Sequence, residues 1–420
     1  MRCHLFWVFL GMLLTIQSGV TLAQTGKNPI AGQANVPEQR PPIFPQLFPQ
    51  PTHDNGYEEW VLAADLIRNN TAIDEATQPG ATLTFKRHVL ADRGVVEALA
   101  LLHEGLKKPI RSPHENIDET TLLPELALFR KLARLLRTVQ YVNFADGRVD
   151  AAIDTLRDGL TFAYYIQTDT LISGLVGLAI DTILLDEFAR HFDQLSVFQC
   201  ERVLRMAQDF LKAESPAIHL FAMEKASEVK MLEARRGDAN ALLTFLNDFG
   251  ISEDPETSMQ VQQIHNHLST HPADLNAMLN EAQARINAQF DQAILNLRLP
   301  LAQRKPFVMD KSNAPAALLA NLLTTDPQSI IDRYTGDQAK LRLLALHALI
   351  RSYRWEHDTL PPSLNDLHAD ELVTDPFTGD KIVYQPEGDR YTLYSAGPLQ
   401  RDESGPGAKQ ERVPVKLINR

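Results

Sequence analysis

The sequence predicts a mainly all-α chain of packed antiparallel helical hairpins, closed by a small C-terminal helix plus β-hairpin module. Three observations carry this. Two amphipathic stretches meet at Asp146-Gly147 with almost no linker, residues 170–185 are apolar nearly all round, and one pair of alternating runs flanks Glu387-Gly388-Asp389. Long periodic stretches joined by so short a turn must be antiparallel neighbours. A helix that is hydrophobic on every side is buried on every side. Alternation about a Gly-containing turn marks a β-hairpin, and it is clear only once in this chain.

Residues 1–23 have the three parts of a secretory signal. Met1-Arg2 is a minimal basic start, 5–16 is an apolar run, and Gly19-Val20-Thr21-Leu22-Ala23 is a small-residue exit with cleavage expected after Ala23. The alternative is an uncleaved anchor, but a span needs about 20 apolar residues and Gln17-Ser18 ends this run sooner. Residues 24–53, with Pro41-Pro42, Pro45, Pro49 and Pro51, predict a Pro-rich disordered linker.

The α-helical domain is expected over 54–335. Asp54-Asn55-Gly56 caps a helix carrying Trp60, Ala64 and Ile67 on one face, and a second helix runs from about Lys86 to Leu106. A third spans 124–145, where Leu128, Leu132, Leu135, Val139 and Val142 form a stripe. Val149, Ile153, Leu156, Leu160 and Tyr164 make the facing stripe of the next helix. In the all-apolar segment Asp181 is the main polar interruption, and Gly174 and Gly177 would admit a close neighbour. Ser196 and Ser215-Pro216 are start signals for two more helices. Residues 238–300 continue helical with breaks at Asp254-Pro255 and His271-Pro272, then Pro300, Pro306 and Pro315 mark a loop.

The C-terminal module is expected over 336–400. Its helix carries Leu343, Leu346, Ile350 and Tyr353 on one face to about His357, Pro361-Pro362 stops it, and strands follow at 381–384 and 391–394. Residues 401–420 are expected to form a flexible tail.

The chain holds 41 basic and 53 acidic residues, a formal charge of −12. Loss of residues 1–23, whose one charged side chain is Arg2, leaves the balance more acidic still. Such a surface repels phosphate backbones and anionic lipid, which argues against sequence-independent nucleic-acid binding and against binding to anionic lipid. Once the signal is cleaved, no transmembrane span is expected. Of two cysteines, Cys3 lies in the signal, so the mature chain has one thiol and no internal disulfide.

Residues 132–160 resemble a tetratricopeptide-type helical hairpin at Ala133, Tyr141, Gly147-Arg148, Ala151-Ala152 and Leu156, although no 34-residue period repeats along the chain. The run Leu171-Ile-Ser-Gly-Leu-Val-Gly-Leu-Ala179 is similar to a group of uncharacterised exported bacterial helical proteins, which implies an address and no activity. A sharper resemblance covers about 60 residues near the end. Pro361-Pro362-Ser-Leu364, Leu367, Asp375-Pro376-Phe377-Thr-Gly379, Tyr384 and Tyr394-Ser395-Ala-Gly397 are similar to the C-terminal part of type II secretion major pseudopilins. That family's Phe-Thr-Leu-x-Glu processing segment is absent here. The resemblance implies a calcium site in the loop after Gly397, where Asp402 and Glu403 are the remaining carboxylates. Calcium takes six or more oxygens, so these two would need backbone carbonyls or other help; the alternative is a solvated charged loop.

His265, His267 and His271 form a cluster in which 267 and 271 share a helical face at zinc-pair spacing. No Glu stands between them, so a solvated polar face is the favoured reading. Arg130, Arg134 and Arg137 share one face of the third helix, while Asp150, Asp154 and Asp158 line the next. A ladder of cross-helix ion pairs is expected, with an arginine-based anion site as the alternative. Cys200 reads as inert core. No nucleophile elbow, phosphate loop or Cys-x-x-Cys occurs, and only Trp60 and Trp355 follow the signal, few for a sugar-stacking cleft. The expectation is therefore an exported, non-catalytic helical binding or scaffold protein of the cell envelope, its partner another protein or an envelope component. A carboxylate- or metal-dependent envelope hydrolase and a secretion-system accessory are the alternatives.

Overall fold

The computed structural model describes residues 41–114, 123–250, 255–299, 303–305, 307, 312–324, 326–369, 371–399 and 412–417. The chain forms two compact units. The larger comprises Arg40–Ser227, Phe290–Val308 and Asp326–Arg420, and the smaller includes Glu228–Gln289 and Met309–Thr325. The signal and residues 24–40 of the expected linker lie outside the described residues, as do Asp402 and Glu403. Residues 41–53, expected to be disordered, are ordered: a helical turn spans Phe44–Leu47, and Ile43 is buried. The Ile43 and His53 N–H groups donate to the Asp65 and Glu58 carboxylates at 3.0 and 2.9 Å, because side-chain acceptors take the donors that prolines leave unladdered. The mainly helical fold with one small antiparallel sheet is as the sequence predicts.

In the larger unit, α1 (Gly56–Ile67) starts where the Asn55 side chain accepts the Tyr57 N–H at 3.1 Å. Its Trp60, Ala64 and Ile67 are fully buried. A short α2 (Ala72–Ala76) follows. The helix expected over 86–106 is two helices, α3 (Leu83–Leu90) and α4 (Arg93–Gly105). Asp92 separates them by taking the N-cap position, its carboxylate accepting the Val95 N–H at 3.1 Å. α4 packs on α1.

α5 (Glu125–Ala145) and α6 (Val149–Ile166) form the antiparallel hairpin. Gly147 has φ +73°, and the Gly147 and Arg148 N–H groups donate to the Phe144 and Asn143 carbonyls. This is a Schellman ending, in which a left-handed glycine closes the helix and its last carbonyls are satisfied. α7 (Leu171–Ala189) packs against both helices and against the long helix α14 described below. Its all-round apolar surface is accordingly buried. A Cβ on Gly177 would meet the Gln167 side chain and the Ala163 carbonyl at 2.8 Å, so only glycine permits this approach to the end of α6. Among the described residues no helix is long and apolar enough to cross a membrane.

α8 (Val197–Lys212) opens on a Ser196–Gln199 capping box, and α9 (Pro216–Glu233) follows. In the smaller unit, α10 (Ala239–Gly250) and α13 (Pro315–Leu323) both pack on α11 (Pro255–Thr270), which buries Val261, Ile264 and Leu268. α12 (Leu275–Arg298) begins after a 3-10 turn at Pro272–Asp274, where the break was expected.

α14 runs from Pro327 to His357, so position 335/336, expected as a domain junction, falls inside a helix. Asp326 and Pro327 supply the true start: the Asp326 carboxylate accepts the Gln328 N–H at 3.0 Å, and proline is suited to the first helical turn. Its helical body packs along α8. Strands β1 (Val383–Glu387) and β2 (Arg390–Tyr394) pair antiparallel with Glu387 opposite Arg390. Gly388, at φ +58°, is the first of the two turn residues.

Buried Asp375 ties the C-terminal module together. Its carboxylate accepts the Phe377 N–H at 2.8 Å and the Ala396 N–H at 2.6 Å, so the Asp-Pro-Phe-Thr-Gly and Tyr-Ser-Ala-Gly segments are joined through one side chain. The Tyr384 hydroxyl donates to the Pro361 carbonyl at 2.8 Å and attaches the Pro-Pro segment to the sheet. Part of the expected flexible tail is ordered. Val415 bridges Ser395, Arg412 bridges Leu399, and Leu417 is buried, because this short apolar stretch finds an unpaired backbone edge to complete.

Candidate binding pocket at the end of α14

On α14, His347, Ile350, Arg351 and Arg354 fall at the i, i+3, i+4, i+7 positions of one helical stripe. That stripe faces the hairpin turn. With Phe192, Asp193, Leu360, Asp389, Arg390 and Tyr391 it encloses an open pocket of about 270 Å³ in the larger unit. The floor is apolar and aromatic. The buried His347 imidazole and the Tyr391 hydroxyl share a hydrogen bond of 2.7 Å, and Phe192 lies against the imidazole.

The walls are cationic. Arg351 donates to the Asp193 carbonyl at 2.7 Å, and Arg354 donates to the Asp389 carbonyl at 3.1 Å with that residue's carboxylate 3.6 Å away. These two guanidiniums therefore also hold the pocket's edges. The Arg390 side chain, exposed at the mouth, has no hydrogen bond or ion pair among the described residues. Among the described residues three guanidiniums and two carboxylates line the pocket, a net positive balance on a chain of charge −12.

The apolar surface continues past the pocket. The Trp355 ring is 55% exposed, carries the Arg351 guanidinium 5.1 Å from its centroid, and donates its indole N–H to the Leu195 carbonyl at 3.2 Å. Three residues beyond Leu195, on the first turn of α8, Phe198 is 63% exposed and Val197 is exposed beside it. Other exposed apolar side chains, such as Leu66, Val96 and Met259, are not tied to a charged pocket in this way.

A second polar site lies nearer the start of α14. Asp181 on α7 is 4% exposed and accepts the Gln167 amide at 2.6 Å, while the Tyr334 hydroxyl donates to the Gln167 carbonyl at 3.3 Å. Asp337 and Tyr334 line the same space of about 50 Å³, and Lys340 donates to Thr182 at 2.8 Å. Burial and the charge of Asp337 hold the Asp181 carboxyl well above the carboxylate range, and burial raises Asp337 to about 6 against the pull of Lys340. That volume suits water molecules and little else.

The expected Arg–Asp ladder does not form. Arg134 bonds Asp74 at 2.9 Å and Arg137 bonds Glu187 at 3.0 Å, whereas Asp150 and Asp154 take Arg202, and Asp158 lies 3.4 Å from His103. Spacing places the arginines on one face of α5 and the acids on one face of α6, but those faces look toward other helices. Arg134 and Arg137 are thereby taken up by carboxylates, while the Arg130 Nε is buried with no hydrogen-bond partner among the described residues.

His267 and His271 stack at 5.2 Å between centroids, with His267 3.4 Å from Asp274. Among the described residues no group of three or more His, Cys, Asp or Glu is placed to hold a metal ion. Cys200 is buried, and burial pushes its thiol up to about 11. The expected calcium ligands Asp402 and Glu403 lie outside the described residues. The arginine stripe was readable as a spacing, but the hairpin that completes it comes from elsewhere in the chain. No known protein family, curated protein or solved structure matches this chain.

Proposed function

We propose that this is an exported binding protein of the cell envelope that docks another protein on the face formed by the start of α8, the end of α14 and the β-hairpin. The single observation behind this is the exposed Trp355 ring, with Arg351 over its face, beside a guanidinium-lined pocket. Aromatic and arginine side chains dominate the energetics of protein interfaces. Export rests on the signal-like residues 1–23, and N-terminal sequencing of the envelope fraction should begin at Gln24.

The docking test uses the full-length chain in its own cells. Tagged wild-type protein is crosslinked and recovered beside a Phe198→Ala/Trp355→Ala variant. A discrete polypeptide should be recovered with wild type and lost with the variant while the melting temperature is held. Equal recovery with both would remove this face from the function. Identity of the recovered polypeptide as a secretion component would favour the accessory reading, which the pseudopilin-like segments motivate.

A further inference from the structure

We propose that the arginine pocket receives the C-terminal residue of the partner polypeptide, its terminal carboxylate on Arg390 and Arg354 and its side chain against Phe192, Ile350 and Leu360. This rests on the docking reading above and adds the chemistry of the anchoring group. Four features of the pocket lead to it.

The first is charge. Arg351, Arg354 and Arg390 are opposed by Asp193 and Asp389, so the surplus suits one negative charge. A carboxylate matches that surplus. A phosphate monoester brings nearly two charges and would face both acids at close range.

The second is geometry of the donors. A guanidinium offers paired N–H groups that match the two oxygens of a carboxylate. The Arg390 side chain has no partner among the described residues, and Arg354 lies 3.6 Å from an Asp389 carboxylate that is almost fully exposed. A ligand carboxylate can therefore replace Asp389 on Arg354 at little cost, since exposed pairs are weak.

The third is size. About 270 Å³ is below the roughly 300–1,000 Å³ that enclose a drug-sized ligand, and it exceeds what a naked ion fills. One amino-acid residue with an apolar side chain is the natural occupant of a floor made by Phe192, Ile350 and Leu360.

The fourth is continuity. Beside Arg351 lies exposed Trp355, so a ligand that enters the pocket has an apolar ring to follow outside it. A free small carboxylic acid would use the pocket and leave that ring bare. A polypeptide end uses both, which is the terminal-carboxylate mode of peptide recognition.

The test uses full-length protein and two fluorescein-labelled heptapeptide pools, random at the first six positions and ending in Leu. One pool has a free C-terminal carboxylate and the other a carboxamide. Fluorescence anisotropy should show the acid pool binding at least about tenfold more tightly than the amide pool, as expected for loss of a charge-assisted hydrogen bond. Arg390→Gln should weaken the acid pool by about tenfold and leave thermal melting unchanged. Equal binding of both pools, or binding of neither, would overturn the inference. Octanoate competing at concentrations where it alone saturates the protein, with the peptides no tighter, would reassign the pocket to small carboxylic acids and likewise overturn it. If the pools show no preference while Phe198→Ala/Trp355→Ala still abolishes partner recovery, docking survives and only the carboxylate anchor falls.

Discussion

The two ends of α14 do opposite things with charge. Near its start, Tyr334 and Asp337 join Asp181 and Gln167 around about 50 Å³, and the acids are held by burial against their preference for ionisation. Near its end, Arg351 and Arg354 meet Arg390 around an open pocket of about 270 Å³, where two of the three side chains are half-buried and Arg390 is exposed. Buried charge costs several kcal/mol unless neutralised or paired, whereas charge at an open mouth costs little and is free to meet a ligand. The first site is therefore expected to govern stability, and the second recognition.

Substitutions can break this contrast, and their effects should fall in order. Gly177→Val places methyl groups where the Gln167 side chain and Ala163 carbonyl stand, and should destabilise the chain by about 2–3 kcal/mol in denaturant unfolding. Because Gln167 holds Asp181, the same variant should also disturb the acid site.

Asp337→Asn is expected to have the next largest effect, in the opposite direction. A carboxyl whose folded pKa of about 6 lies above its ordinary 3.8 keeps its proton longer in the folded chain. Its favourable contribution is complete below the ordinary value and is lost as pH rises through 6. The amide does not titrate, so the variant should be more stable than wild type near pH 7.5 by about 1–2 kcal/mol, and less pH-dependent between about 4 and 6. Thermal melts across that range check it; a wild-type curve that rises with pH in step with the variant's would contradict it.

Arg351→Gln removes donors to the Asp193 and Leu195 carbonyls and should cost about 1 kcal/mol. Arg390→Gln should change stability by no more than about 0.5 kcal/mol, since it touches nothing the fold depends on. A large loss of stability at Arg390 would make the pocket architectural and erase the contrast.

The elements set by local chemistry were legible in the sequence. Asp146-Gly147 reads as a turn because the left-handed ending requires a residue such as glycine, and the helix start at Pro255 and the break at His271-Pro272 follow from proline's missing donor. The apolar segment around Gly174 and Gly177 reads as buried because no face of it is polar. Local signals can also be overlooked: Asp92 is a sound N-cap inside a stretch expected as one helix.

Pairing between elements was not legible. Arg134 and Arg137 were matched with the acids of α6 on spacing, which assigns a residue to a face and leaves open what the face meets. Asp181 and Asp337 lie on different helices far apart in sequence, and Arg354 and Arg390 lie on a helix and a strand, so both sites exist only once the chain has folded. Composition pointed toward an acidic surface and gave no sign of a locally basic pocket within it.

Site-specific photocrosslinking tests the docking face most directly. A photoreactive amino acid is placed at Trp355, at Phe198 and, as a control, at exposed Leu66, and the full-length chain is irradiated in its own cells. A discrete polypeptide adduct at 355 and 198, absent at 66, is the expected result. No adduct at either position, or the same adducts at all three, would contradict a docking surface at the end of α14.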